Sequence, residues 1–178
     1  LADRFGARDV FRTAIIIFIL GSVAAGLSNS LTELVLARLF QGLGGSMMVP
    51  VGRLVVLRTV SKAEMVSAMA WLTTPALIGP VLGPPIGGFI TTYLSWRWIF
   101  WLNVPIALIG IVMVSLFIEN TKEGNVPPLD WRGFALTSTG LAAAMFGFET
   151  VGRGIVPLSL SLSLLALGAA ILACYVLH

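Results

Sequence analysis

Charged side chains are scarce in this sequence. Only 11% of the 178 residues are Asp, Glu, Lys or Arg, whereas 57% are hydrophobic and the mean hydropathy is +0.97. Soluble domains carry about a quarter charged residues, so this balance excludes an ordinary soluble globular domain. The formal net charge is +3, but the basic residues are spread thinly. A nucleic-acid partner, which needs a concentrated basic face, is therefore not expected.

Cysteine and histidine are almost absent as well. Cys174 is the single cysteine, so it has no partner for an internal disulfide, and the single histidine is the last residue, His178. The sequence also contains no phosphate-binding glycine loop, no paired catalytic carboxylates and no nucleophile with a neighbouring base. We therefore expect no enzyme activity, no catalytic residues, no metal site and no cofactor.

Long hydrophobic segments make up most of the sequence instead. A membrane-spanning helix takes about 20 apolar residues, and six segments approach or exceed that length. The sequence thus predicts an all-α membrane protein, a bundle of about six transmembrane helices. The fifth segment is the weakest, because about sixteen residues barely cross a bilayer. The six segments are Val10–Leu27, Leu34–Leu57, Val66–Thr92, Trp98–Ile118, Gly133–Phe148 and Val156–Leu177.

The basic residues alternate between the connections. Arg and Lys favour cytoplasmic loops, so the side that collects most of them is predicted to be cytoplasmic. That orientation places Leu1 in the cytoplasm of a multi-pass protein of the cytoplasmic (inner) membrane. One side has Arg4, Arg8, Arg12, Arg53, Arg58, Lys62, Lys122 and Arg132, and the other has only Arg97 and Arg153.

Arg38 lies inside the second predicted span, whereas every other charge falls near a span end. Such a charge is costly in a bilayer, so it usually faces a protein interior and a partner. Gln41 and Gly42 follow at i+3 and i+4 and share its helical face, which is suited to lining a cavity. The alternative is that Arg38 extends toward the external headgroups.

The third span contains the densest glycine pattern. Spacing by four puts Gly79, Gly83 and Gly87 on one face, beside Gly88, and Pro80, Pro84 and Pro85 lie between them. Small residues allow another helix to approach closely, and prolines bend a helix. The pattern predicts a kinked, closely packed helix, with plain helix packing as the alternative to a functional role.

Several polar residues lie near the span ends. The opening segment mixes Asp3, Arg4 and Arg8 around Gly6, which permits a tight turn; ordinary solvated loop charges are the alternative. Glu33 and Glu149 are either rim carboxylates that meet a cation or residues that face water. Asp130 is a predicted helix cap for the fifth span.

Three of these patterns, in this order, resemble motifs of the major facilitator superfamily of secondary transporters. Leu1–Arg8 resembles the loop between the second and third helices, although Ala7 replaces a basic residue. Leu36–Gly45 resembles the fourth-helix motif, with Arg38 at the arginine position. Gly79–Gly88 resembles the antiporter motif of the fifth helix, with Pro84 matching and Ala70 replacing an outlying glycine.

Ser95–Pro105 resembles the start of the sixth helix in the drug:proton antiporters with fourteen spans. On this resemblance the chain is a fragment of a longer protein and covers about helices three to eight. Residues 1–118 would belong to the N-terminal transporter bundle, 119–132 would be a cytoplasmic connection, and 133–178 would be two additional transmembrane helices.

The resemblance implies a proton-coupled multidrug exporter that works by alternating access. Arg38, Gln41 and Gly42 would serve proton coupling, the glycine motif would limit leakage, and the opening loop would steady one conformation. The implied partners are a small-molecule substrate, protons, the lipid bilayer and the remaining helices of the parent chain, which would supply the proton-binding carboxylate. The alternatives are a metabolite facilitator or symporter of the same superfamily and a non-transporting receptor.

Overall fold

The computed structural model describes residues 2–120 and 128–176, which form helices and no strands. The chain divides into two compact units, Leu1–Val126 and Pro127–His178, and each is described on its own. The predicted cytoplasmic position of Leu1, the loop charges Lys122 and Glu123, and His178 lie outside the described residues, as does part of the predicted connection 119–132.

The first unit contains six helices among its described residues. Ser30 begins the third of them, because its hydroxyl accepts a hydrogen bond from the Glu33 backbone N–H at 3.2 Å. The fourth predicted span is divided between two helices that meet at Leu102. The helices are α1 (Ala2–Phe5), α2 (Ala7–Leu27), α3 (Leu31–Thr59), α4 (Met65–Tyr93), α5 (Trp98–Trp101) and α6 (Asn103–Phe117).

The second unit is a helical hairpin of α7 (Trp131–Thr150) and α8 (Leu158–Val176). The predicted cap is confirmed, since Asp130 Oδ1 accepts from the Gly133 backbone N–H at 2.8 Å. The predicted segment Gly133–Phe148 lies within α7, which extends two residues beyond it at each end. The helix begins directly after its cap and continues to Thr150.

Five helical segments among the described residues are long and apolar enough to cross a membrane. The prediction of six such segments is therefore met for five. The exception is α7, which is long enough but carries polar residues along its length. The five are Ala7–Leu27, Leu31–Thr59, Met65–Tyr93, Trp98–Phe117 and Leu158–Val176.

The α2 and α3 helices pack through a seam of small residues. A Cβ added to Gly21 would lie 2.5 Å from Gln41 Cα, and one added to Gly44 would lie 2.6 Å from the Phe18 backbone nitrogen. Residues seven apart stay on one side of a helix, and one series of buried residues on each helix follows that spacing. The series are Ala7, Ala14 and Gly21 on α2, and Ala37, Gly44 and Val51 on α3.

The α7 and α8 helices use the same spacing. Gly133, Gly140 and Gly147 are buried on α7, and Ser161 and Gly168 are buried on α8. Each residue of one set contacts the other helix in antiparallel order: Gly147 lies against Ser161, Gly140 against Gly168, and Gly133 against Tyr175. At the loop end, the hydroxyls of Thr150 and Ser161 are hydrogen-bonded at 2.9 Å.

This hairpin seam predicts that Gly147→Val destabilises the protein. A Cβ at this position would lie 2.8 Å from both Leu165 N and Ser161 O, so the helices must separate. Overpacking of this kind costs about 1–3 kcal/mol. Unfolding of the purified protein in detergent micelles measures the loss, with Ala142→Val as control, because Ala142 is exposed on the same helix. Equal stabilities of the two variants would contradict the conclusion that close packing at Gly147 stabilises the hairpin.

Candidate functional site

Arg38 lies in the second turn of α3, about 10 Å along the axis from Leu31. Its Nη1 donates a hydrogen bond to Gln41 Oε1 at 2.6 Å, and its Cζ lies 5.6 Å from the centre of the Phe100 ring. Gln41 is one turn further along α3, and the Phe100 ring belongs to the short helix α5. The guanidinium therefore has one partner on its own helix and one on another helix.

Gln41 connects Arg38 to two other helices. The side chain of Gln41 is 1% exposed and that of Ser22 is fully buried. Gln41 Nε2 donates to Ser22 Oγ, and Ser22 Oγ also accepts from Asn103 Nδ2 at 3.2 Å. Polar side chains of α2, α3 and α6 thus form one hydrogen-bonded chain that ends at the guanidinium of Arg38.

Gly42 does not join this group. It is exposed, and a Cβ added to it would meet no atom within 4 Å among the described residues. The face of α3 that turns toward α2 contains Gln41 and Gly44, whereas Gly42 lies beside that face. The structure thus connects Arg38 and Gln41 by a hydrogen bond, whereas Gly42 lies next to open space within the described residues.

The guanidinium of Arg38 has neutral partners. It forms no ion pair within residues 2–120 and 128–176, and its contacts are the Gln41 amide oxygen and the Phe100 ring. The same residues contain no group of three or more His, Cys, Asp or Glu side chains that could hold a metal ion. Within the described part of the chain, the site is a positive charge held by neutral partners, with no carboxylate paired to it.

The opening loop connects the start of the chain to α3. Gly6 has a φ of +96°, a conformation that favours glycine, so the predicted tight turn is confirmed. Asp3 accepts from Arg58 Nη2 at 2.7 Å, near the end of α3. Arg8 Nε lies 3.7 Å from the carboxylate of Asp9, and Arg4 is exposed.

A second contact ties the same end of the first unit to the residues after α6. Asn120 Nδ2 donates to Asp9 Oδ2 at 2.6 Å. The start of α2, the end of α3 and the end of α6 therefore lie together, as a helix bundle with alternating directions requires. At the other end, Arg97 Nη2 donates to the Ser28 carbonyl at 2.7 Å.

The glycine motif of α4 faces open space. A Cβ added to any of its four glycines would meet no atom within 4 Å among the described residues, and Ile90 is the single buried residue of the helix. The helix runs without interruption through Pro80, Pro84 and Pro85. The predicted close packing is thus absent from the described part of the chain. The four glycines are Gly79, Gly83, Gly87 and Gly88.

The two candidate rim carboxylates have local partners. Glu33 Oε2 accepts from the Asn29 backbone N–H at 2.7 Å, which stabilises the turn before α3. Glu149 forms an ion pair with Arg153 at 2.7 Å, and both side chains are 60% exposed. Both carboxylates thus act at the ends of helices, and neither contacts Arg38.

Sequence reasoning missed three members of the Arg38 site: Ser22, Asn103 and Phe100. Ser22 and Asn103 are single polar residues within apolar runs, and that isolation is the signal that could have found them. Their meeting with Gln41 depends on the packing of three helices, which no spacing along the chain specifies.

The chain matches the Major Facilitator Superfamily over residues 1–177. It is also similar to proteins named "Putative multidrug resistance protein MdtD", with 42% identity in Escherichia coli strain K12 and Shigella sonnei, and 41% in Escherichia coli O139:H28. Each alignment covers the whole chain but 38% of the relative. Because the family match spans almost every residue and five helices are able to cross a bilayer, the chain is a multi-pass membrane protein that belongs to the Major Facilitator Superfamily.

Proposed function

We propose that this chain is part of a proton-coupled secondary transporter that exports small amphipathic or cationic compounds by alternating access. Three findings support the proposal: the family match, the similarity to proteins named for multidrug resistance, and the geometry around Arg38. Since the chain spans 38% of the length of these relatives, the complete site includes residues of a longer protein.

The environment of Arg38 is the observation that carries this function. A positive charge inside a spanning helix is costly unless it has a partner, and the partners here are the neutral Gln41 amide and the Phe100 ring. Such a charge favours the ionised form of any carboxylate that approaches it. A carboxylate on another helix of the longer protein would release its proton when a conformational change brings it near Arg38. Proton release would thereby be coupled to alternating access.

The charge distribution supports an orientation in the cytoplasmic (inner) membrane. The end of the first unit that holds Asp3, Arg58 and Asn120 also collects Arg4, Arg8 and Arg12. By the positive-inside rule, this end faces the cytoplasm. In this arrangement residues 1–118 belong to the N-terminal bundle, residues 119–132 form a cytoplasmic connection, and residues 133–178 supply two additional helices, of which α8 is apolar enough to span the membrane on its own.

The open glycine face of α4 supports a role between parts of the longer protein. Small residues on one helix face allow close approach of another helix, and no described residue occupies that face. We assign Gly79, Gly83, Gly87 and Gly88 to an interface with helices outside this chain. Its closure would limit proton leakage between conformations.

The first prediction concerns Arg38→Ala in the full-length protein. Substrate-triggered proton efflux from acidified inside-out vesicles should fall about 10- to 100-fold, because a charge-assisted hydrogen bond is worth about 1.5–3 kcal/mol. Lipophilic cationic dyes serve as substrates, and a pH-sensitive fluorophore reports the pH of the vesicle lumen. Arg38→Lys should give an intermediate rate, since lysine keeps the charge but lacks the planar guanidinium.

Arg153→Ala is the matched control, because it removes an arginine whose side chain is 60% exposed. Its efflux should equal that of the unmodified protein at equal expression. Unchanged efflux in Arg38→Ala would contradict the proposed role of Arg38 in proton coupling. Absence of efflux from the unmodified protein with every dye would instead favour a facilitator or a receptor.

The second prediction concerns Gly83→Val, also in the full-length protein. The added side chain has open space within the described residues, so the stability of this chain expressed alone should be unchanged. In the full-length protein, the valine should hold the proposed interface apart and raise the proton leak without substrate by about tenfold, equivalent to about 1.4 kcal/mol. Ile78→Phe is the control, because Ile78 is an exposed residue of the same helix and lies about 80° or more around the helix from each of the four glycines. Equal leak rates in both variants would contradict the proposed interface.

A further inference from the structure

The hydrogen-bonded chain behind Arg38 extends beyond the residues that its own helix supplies. Ser22 belongs to α2 and Asn103 begins α6, and both reach Gln41 or its partner in the interior of the first unit. Neither residue contacts Arg38. Their effect on the site must therefore pass through the side chain of Gln41.

The donors and acceptors fix the orientation of the Gln41 amide. A guanidinium has only donors, so the group of Gln41 that faces Arg38 must be the oxygen. The Gln41 nitrogen then points at Ser22, whose hydroxyl oxygen accepts. Asn103 Nδ2 donates to the second lone pair of the same oxygen. Each link of the chain determines the polarity of the next.

The packing of α2 against α3 holds this arrangement in place. Gly21, next to Ser22, brings the two backbones so close that a Cβ there would lie 2.5 Å from Gln41 Cα. Ser22 is fully buried and Gln41 is 1% exposed, so water does not replace a lost partner. A buried amide without its acceptor would be left unsatisfied and would turn to find another.

We propose that Ser22 and Asn103 are positioning residues, which hold the Gln41 amide so that its oxygen fixes the guanidinium of Arg38. The inference rests on the proposed role of Arg38 in proton coupling. The hydrogen bonds that link Asn103 to Ser22 and Ser22 to Gln41 fix the position of the Arg38 guanidinium between α3 and the Phe100 ring. Because the two residues act through the Gln41 amide, a change in them should affect the coupled rate rather than substrate affinity.

The test is a double-mutant cycle in the full-length protein. Ser22→Ala should lower the maximal rate of dye-triggered proton efflux about three- to tenfold, the effect of one buried hydrogen bond in a membrane protein, with KM for the dye unchanged. The same substitution in a Gln41→Ala background should have no further effect, because the Gln41 amide that connects Ser22 to Arg38 is already absent. Ser22→Thr, which keeps the hydroxyl, should restore most of the rate.

Asn103→Leu provides a second variant with a similar shape and no donor. Its loss should be smaller than that of Ser22→Ala, since the bond from Gln41 to Ser22 remains. Ser115→Ala is the matched control, because the Ser115 hydroxyl on α6 bonds only the Ile111 carbonyl of its own helix. Equal losses from Ser22→Ala and Ser115→Ala, or additive losses in the Gln41→Ala background, would overturn the proposal.

A spectroscopic measurement separates this inference from the proposed function. In arginine-labelled protein, a held Arg38 guanidinium gives two distinct Nη signals by nuclear magnetic resonance, and Arg38→Lys identifies them by their disappearance. In Ser22→Ala the two signals should merge as the group rotates. If the two Nη signals merge in Ser22→Ala but the unmodified protein shows no efflux, proton coupling is refuted and the positioning role is retained. Distinct signals in Ser22→Ala would refute the positioning role even where efflux depends on Arg38.

Discussion

Close approach of helix backbones at small residues is the constraint on which both units depend. Lipid is as apolar as leucine, so helices in a bilayer gain little from hydrophobic contact and associate through packing and hydrogen bonds. Gly21 and Gly44 allow this approach between α2 and α3, and Gly140 and Gly147 allow it between α7 and α8. In each hairpin the small residues recur every seven positions, which keeps the seam on one side of each helix.

The Arg38 site follows from that constraint. Because Gly21 lets α2 lie against Gln41, the neighbouring hydroxyl of Ser22 reaches the buried amide, and Asn103 of α6 joins it. The amide oxygen in turn accepts a hydrogen bond from the guanidinium of Arg38. A side chain larger than glycine at position 21 would affect the electrostatics of the site without touching Arg38. Packing and charge are thus linked through one glutamine.

Much of the architecture could be predicted from the sequence. The apolar runs specified the spanning segments to within a few residues, the Asp130 cap was confirmed by its bond to Gly133, and the turn at Gly6 was confirmed by its φ. The helix α7 extends two residues beyond the predicted segment at each end, because its polar residues shortened the apolar run but did not stop the helix. The closest packing was expected at the glycines of α4, yet it occurs at the glycines spaced by seven in the two hairpins.

The sequence by itself determined the helical membrane class and the presence of a charge inside one of the spans, because hydropathy, capping and charge placement act locally along the chain. The tertiary structure decided which polar groups meet that charge. Ser22, Gln41 and Asn103 are separated by 19 and 62 positions, and only the packing of α2 against both α3 and α6, which run opposite to it, brings their side chains within hydrogen-bonding distance. Contacts of this kind depend on how helices approach each other in space, which local propensity does not encode.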